Sequence, residues 1–300
     1  MTTWLLLALA APLLWGSTNV LDGALRKNFV KSDLALTWIM AILRLPFVVV
    51  FFLVAGFEVP SASTVIFMFT GGILWMAPVF IYYKALEKED PSNVALLLQM
   101  LPLTLLIMAY FVLGEGLSAM QGIAFIFLII GGGLASIKKL KGIWHFSAAF
   151  YLVGLACILW STSDVIFKKF EPEFSNFLSA FAIYFLASFL ASLFIFALPS
   201  GRVKLLGHFK KLPKRAWFMI ITTVVAGVGG SFVFAKALTL GKAALTSVLI
   251  GIQPFFVIGL GLFLGLFIPE IHKEDLSKKA LVFKGISFVF IILGLVFLQA

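Results

Sequence analysis

Ten apolar runs, at about 3–24, 34–56, 64–84, 92–113, 118–137, 147–168, 175–198, 217–238, 242–268 and 281–299, take up most of this 300-residue chain. A spanning helix needs about 20 mostly apolar residues. Each run therefore suffices for one crossing, and the loops left over are too short for a separate soluble domain. Composition agrees, with 62% hydrophobic and 12% charged residues against about 45–50% and about 25% in soluble domains. The fold class that follows is an all-α membrane protein of ten transmembrane helices. Gly and Pro inside the runs suit helices in lipid, where neighbouring segments satisfy the backbone groups that a proline frees. The opening run contains Ala8-Leu9-Ala10, which is like a signal-peptidase site, but it lacks a positive n-region. Its distal part recurs later, so it reads as part of the mature fold.

The net charge of +10 would suggest nucleic acid in a soluble protein. Here the lysines and arginines sit between apolar runs and act as topology signals, so the expected partners are the bilayer and a small-molecule substrate. The single Cys157 cannot close an intrachain disulfide, and His145, His208 and His272 lie far apart. No metal or cofactor site is expected. No Walker A pattern occurs, which argues against ATP hydrolysis within the chain.

Self-similarity decides the architecture. The stretch Leu13-Leu14-Trp15-Gly16-Ser17-Thr18-Asn19-Val20-Leu21 returns as Ile158-Leu159-Trp160-Ser161-Thr162-Ser163-Asp164-Val165-Ile166, at an offset of 145. Lys84-Ala85-Leu86 followed by Pro102 matches Lys236-Ala237-Leu238 followed by Pro254, at an offset of 152. The run from Gly122 to Gly131 parallels that from Gly285 to Gly294, at an offset of 163. Two units, 1–140 and 141–300, with five spans each, are expected. Five is odd, so the second unit enters the membrane from the opposite side, and the two form inverted repeats of the kind that secondary transporters use for alternating access.

Trp15-Gly16-Ser17-Thr18-Asn19, Tyr83-Lys84-Ala85-Leu86, the mid-span Pro102 and Leu113-Gly114-Glu115 resemble the EamA repeat of the drug/metabolite transporter superfamily. The second half departs from it: Ser161 replaces the glycine, and Leu264-Gly265-Leu266 replaces Leu-Gly-Glu, with Glu270 displaced. The resemblance implies a ten-helix carrier, most often an exporter of amino acids or other small metabolites. It leaves cargo open, since relatives move nucleotide sugars or take metabolites up. It also implies cytoplasmic termini, whereas this sequence implies the reverse. The loops after spans 1, 3, 5, 7 and 9 hold 18 of the 23 Lys and Arg, including Arg202, Lys204, Lys210, Lys211, Lys214 and Arg215. The positive-inside rule places those loops in the cytoplasm and both termini outside the cell membrane.

Arg44, near the middle of span 2, costs about 2.5–3.5 kcal/mol to insert there. It therefore faces a wet cavity, an acidic partner or the carboxylate of a substrate, unless it snorkels to the interface. Asn19 and Asp164 occupy matched positions toward the ends of spans 1 and 6, a placement suited to gates, with packing of the small polar residues around them as the alternative. Asp164 can also bind a proton, so proton or ion coupling stays open. Asp22 reads as interfacial. Pro102 and Pro254 break spans 4 and 9 beside Gln99 and Gln253, and freed carbonyls with glutamine amides make a polar floor for a substrate, or merely a kink. Trp15, Trp75, Tyr82 and Trp160 add aromatic walls, although Tyr82 and Tyr83 also suit an interface belt. The expected cavity is walled by spans 1, 3, 4, 6, 8 and 9. An intramembrane lipid-modifying enzyme would need acidic pairs or a His/Glu constellation, which the spans lack. A carrier of small organic metabolites, probed by counterflow, fits better than an enzyme or a channel; oligomeric state and coupling ion are not legible.

Overall fold

The computed structural model describes residues 3–115, 118–140, 143–197, 212–271 and 278–299. Helices α1 (Thr3–Asn28), α2 (Asp33–Ile42), α3 (Leu45–Ala55), α4 (Ala62–Lys88), α5 (Pro91–Leu97), α6 (Met100–Leu113) and α7 (Ala119–Ser136) come first. A short antiparallel hairpin, β1 (Ile137–Leu140) with β2 (Ile143–Phe146), stands where the sequence suggested an open loop between repeats. Then follow α8 (Ala148–Phe170), a 3-10 turn (Glu171–Glu173), α9 (Phe177–Ala197), α10 (Lys214–Leu240), α11 (Ala243–Val248), a second 3-10 turn (Leu249–Ile252), α12 (Gln253–Leu264) and α13 (Lys278–Gln299). Arg202, Lys204, Lys210 and Lys211 of the basic loop lie outside the described residues.

Among the described residues, six segments are long and apolar enough to cross a membrane: Thr3–Asn28, Leu34–Ala55, Ala62–Lys88, Asn93–Leu113, Ala148–Glu173 and Lys214–Leu240. Phe177–Leu193, Leu249–Leu264 and Val282–Gly294 are shorter apolar helices. The starts follow local chemistry. Ser32, Ser61 and Ser147 cap α2, α4 and α8 by accepting from Ala35, Thr64 and Phe150 N–H, which satisfies a donor that the first turn leaves unpaired. Gly114, at φ 69°, closes α6 in the left-handed conformation, where a side chain would be strained.

Pro102 and Pro254 do not sit mid-helix, as the sequence suggested. Each stands in the first turn of a restarted helix, α6 or α12, and the interruption falls upstream, at Leu98–Gln99 and across Leu249–Ile252. A proline cannot donate to the carbonyl four residues back and crowds it, so the chain breaks before the ring and restarts with the ring inside the new first turn. Span 2 is broken too, at Leu43–Arg44, with Pro46 opening α3. Pro12 and Pro78 leave α1 and α4 continuous.

α1 lies along α10, and α4 lies along α8 and α9. α6 packs on α8, α12 on α1, α2 and α3 on α9, and α7 on α13. The core between α3, α9 and α10 is aromatic: Phe181 stacks on Phe185 at 5.3 Å and meets Phe51 and Phe232 edge-on at 5.3 and 5.4 Å. Large apolar side chains point outward instead at Leu53, Phe111 and Leu266, each more than three-quarters exposed, as a lipid-facing surface requires and a water-facing one would not tolerate in such number.

Candidate functional site

One cavity of about 130 Å³ opens inside the bundle. α1 supplies Trp15, Thr18, Asn19 and Asp22; the α2–α3 break supplies Met40 and Arg44; α4 supplies Trp75, Val79, Tyr82 and Tyr83. Leu98 and Leu101 flank the α5–α6 break, Trp160 and Asp164 come from α8, Thr223, Val224, Gly227 and Ser231 from α10, and Ile250 and Gln253 from the break before α12. Of the residues singled out in the sequence, Arg44, Trp15, Asn19, Trp75, Tyr82, Trp160, Asp164 and Gln253 all face this one space. The walls are those expected from spans 1, 3, 4, 6, 8 and 9, with span 2 added.

Arg44 is the N-cap of α3 and is buried. Its guanidinium carbon lies 4.7 Å from the Trp75 ring centroid and 6.0 Å from that of Phe185, and Nη1 reaches Met76 Sδ at 3.4 Å. A cation against an aromatic face keeps part of its solvation there. Asp22 interacts with it electrostatically, but no ion pair joins the two. Arg44 Nε, Asp22 Oδ1, Asn19 Nδ2 and Thr223 Oγ1 are all buried without a hydrogen-bond partner among the described residues. Buried polar groups are nearly always satisfied, so four such atoms around one cavity mark it as a place where a polar ligand fits.

Tyr82 Oη donates to Asn19 Oδ1 at 3.0 Å, and Trp160 Nε1 donates to the Trp75 carbonyl at 2.9 Å. Tyr82 and Tyr83 are buried against the cavity rather than forming an interface belt, because the helix end that carries them is packed between α1 and α5. Asp22 is likewise buried, not interfacial. Gln99 does not line the cavity. It is fully buried behind the wall, and its Nε2 donates to Ala95 O at 3.1 Å and Ile250 O at 3.4 Å. Ile250 is the residue whose carbonyl Pro254 cannot serve, so the expected freed carbonyl exists and a glutamine from the other half takes it up. Pro102 is buried in α6. Much of the small-polar cluster packs: Ser17 and Thr18 donate back to Leu14 and Trp15 carbonyls, Ser161 bonds Thr104 at 2.6 Å, and Ser163 bonds Tyr184 and the Gly71 carbonyl, both at 2.6 Å.

Two sets of polar contacts close the ends of the bundle. At one end Arg26 pairs with Glu87 at 2.9 Å, Lys27 with Asp90 at 2.8 Å and Arg215 with Glu270 at 3.1 Å, while Asn28 donates to the Glu270 carbonyl at 2.7 Å. At the other Lys168 bridges Glu115 and the Gly241 carbonyl, both at 2.9 Å, Thr64 donates to Glu173, and Glu58 accepts from the Ser175 backbone and hydroxyl. Those Ser175 bonds hold the Glu58 carboxyl below its ordinary range.

The sequence reading passed over Asp22, Tyr83, Thr223 and Ser231 as site residues. The one available signal was that Asp22 follows Asn19 by three residues, so both fall on one helix face.

The fold recurs among solved structures. One, described only as a crystal structure of a protein, shares 16% identity and superposes with a TM-score of 0.59 over 97% of this chain and 94% of its own, a likeness of fold alone. Among curated proteins no match is found. Residues 2–137 match the model of the EamA-like transporter family.

Proposed function

We propose that this chain, whose residues 2–137 match the EamA-like transporter family of the drug/metabolite transporter superfamily, is a multi-pass membrane transporter of small molecules, and more narrowly a secondary carrier, an exporter of small organic metabolites such as amino acids, working by alternating access. The observation that carries this reading is the cavity itself. It lies between the two halves, both halves line it, and four of its buried polar atoms have no partner among the described residues. Such a site can bind cargo and be uncovered first on one side and then on the other.

Ten crossings in two inverted repeats, 1–140 and 141–300, complete the proposal. Exchange of the halves turns the α1–α10 contact into the α8–α4 contact, and both are extensive. It also turns the meeting of the Glu115 carboxylate with the end of α8 into that of the Glu270 backbone carbonyl with the end of α1, while the Glu270 carboxylate pairs with Arg215. Ten alternating crossings put Arg26, Glu87, Arg215 and Glu270 at one face and Glu58, Glu115, Lys168 and Ser175 at the other. The polar contacts respect that division throughout.

In this reading Arg44 receives an anionic group of the cargo, since its planar fork matches a carboxylate. Trp15, Trp75, Tyr82 and Trp160 hold the apolar body. Asn19, Asp164 and Gln253 read the remaining polar groups, and Gln99 acts through the break it braces. The protein resides in the cell membrane with both termini outside. Cysteines added at Thr2 and after Ala300 should react with an impermeant thiol reagent in intact spheroplasts, with the buried Cys157 silent; labelling near Lys211 with both termini protected would reverse the orientation. Counterflow in proteoliposomes against amino acids, nucleotides and sugars tests the carrier. Saturable exchange of at least one cargo is expected, and linear, non-exchanging flux would reject it.

A further inference from the structure

The two halves of the cavity diverge at one matched pair of contacts. Asn19 and Asp164 are equivalent at the offset of 145, and Tyr82 and Phe234 at the offset of 152. In the first half the Tyr82 hydroxyl satisfies Asn19. In the second, Phe234 has no hydroxyl to offer, and Asp164 makes no hydrogen bond or ion pair among the described residues.

Several donors of this region are engaged elsewhere. Lys168, one turn along α8, is held by Glu115 and the Gly241 carbonyl. The Tyr184 hydroxyl bonds Ser163, Ser231 donates to the Gly227 carbonyl at 2.9 Å, and the Trp160 N–H serves Trp75. Arg44, the one cation of the cavity lining, interacts with Asp22. With Asp22, Asp164 and Arg44 ionised, the lining carries one negative charge more than positive. Asp164 is half-buried and faces the cavity, and a carboxylate against so apolar a lining favours a counter-charge.

Asp164 also faces a side recess of about 10 Å³, between Trp15, Trp75 and Phe234. That is room for one water-sized group, the size of a primary ammonium, and indole faces attract such cations. We propose that Asp164, in this recess, receives a primary ammonium of the cargo, so that the carrier takes amines with an apolar body, with or without a carboxylate to engage Arg44. The inference rests on the carrier reading only in taking the cavity as the cargo site.

The test is a binding titration of the purified full chain, followed by tryptophan fluorescence and calorimetry. The probes are 2-phenylethylammonium and, as its size-matched anion, 3-phenylpropionate. Asp164→Asn should weaken the ammonium probe at least about tenfold, the usual scale for losing a charge-assisted bond, and leave the anion unchanged. Asp164→Glu should recover part of the loss. Phe234→Tyr, which returns the missing hydroxyl and gives Asp164 an internal partner, should weaken the ammonium probe without removing any charge. Equal ammonium affinity in wild type and in monodisperse Asp164→Asn, or no ammonium binding to wild type, overturns the assignment; a proton would then be the counter-charge. Counterflow reads the carrier separately. If exchange persists while ammonium affinity ignores Asp164, the carrier stands and the assignment falls. If ammonium binding depends on Asp164 but nothing exchanges, the reverse holds.

Discussion

α4 and α10 carry equivalent sequence, yet they meet their neighbours differently. α4 crosses α9 at Gly72 so closely that a Cβ there would come within 2.3 Å of the Tyr184 carbonyl and 2.6 Å of the Ala187 methyl. The positions in α10 that match Gly71 and Gly72 are Thr223 and Val224, and these line the cavity opposite the α2–α3 break. α10 packs far less on α2 and α3 than α4 does on α9, with the Phe51–Phe232 stack at 6.0 Å as one of its contacts. A glycine pair lets two backbones touch; a threonine and a valine hold them apart. The gap left on that side is where Arg44 sits, and a charge at a helix break is sustainable only where the facing helix stands off. The α4–α9 crossing is closed, and the approach of α10 to α2 and α3 is spread.

The largest blow to that contrast is Gly72→Val. Overpacking the α4–α9 crossing should cost about 1–3 kcal/mol, seen as a fall of several degrees in thermal unfolding, whereas Val224→Ile on the spread side should barely register. Next is Arg44→Lys, which keeps the charge but loses the planar fork over Trp75. Binding of 3-phenylpropionate should weaken about tenfold, or about 1.4 kcal/mol, with thermal stability preserved. Unchanged affinity would remove Arg44 from the site. Tyr82→Phe copies the second half into the first; it deletes the bond to Asn19 and should cost about 0.6 kcal/mol, measurable as a small shift in melting temperature. Smallest is the link from Glu58 to Ser175, which fastens the α3–α4 loop to the start of α9. The folded carboxyl titrates lower than the unfolded one, so its contribution is present above the ordinary value of 4.5 and fades as pH falls through the lowered one. Glu58→Gln should therefore remove a small amount of stability at neutral pH, leave the fully acid side unchanged, and so flatten the acid limb of the stability profile.

The gross fold was legible because lipid imposes it. Apolar stretches of spanning length have little choice but helix. The breaks were less legible. Pro12, Pro46, Pro78, Pro102 and Pro254 look alike in sequence, but only three of them restart a helix, because whether a bundle satisfies a freed carbonyl or parts there depends on neighbours no local pattern names. Arg44, Asn19 and Asp164 stood out as polar residues in apolar runs. Asp22 was misjudged because distance from the end of a run says nothing about which face of α1 it occupies. Gln99 was placed one layer too far inward for the same reason, since its partner, the Ile250 carbonyl, lies 151 residues away.

That carbonyl has a consequence for how the protein can be interrogated. Ile250 lines the cavity while its backbone oxygen holds Gln99, and the interruption exists because Pro254 brings no N–H. A group of this kind is the same whatever side chain stands at position 250, so an alanine scan is blind to it, and genetic screens will under-report the part of the site built from main chain. At position 250, a change to the peptide link itself, an ester between Ile250 and Gly251 that makes the oxygen a poorer acceptor, would bring it into view.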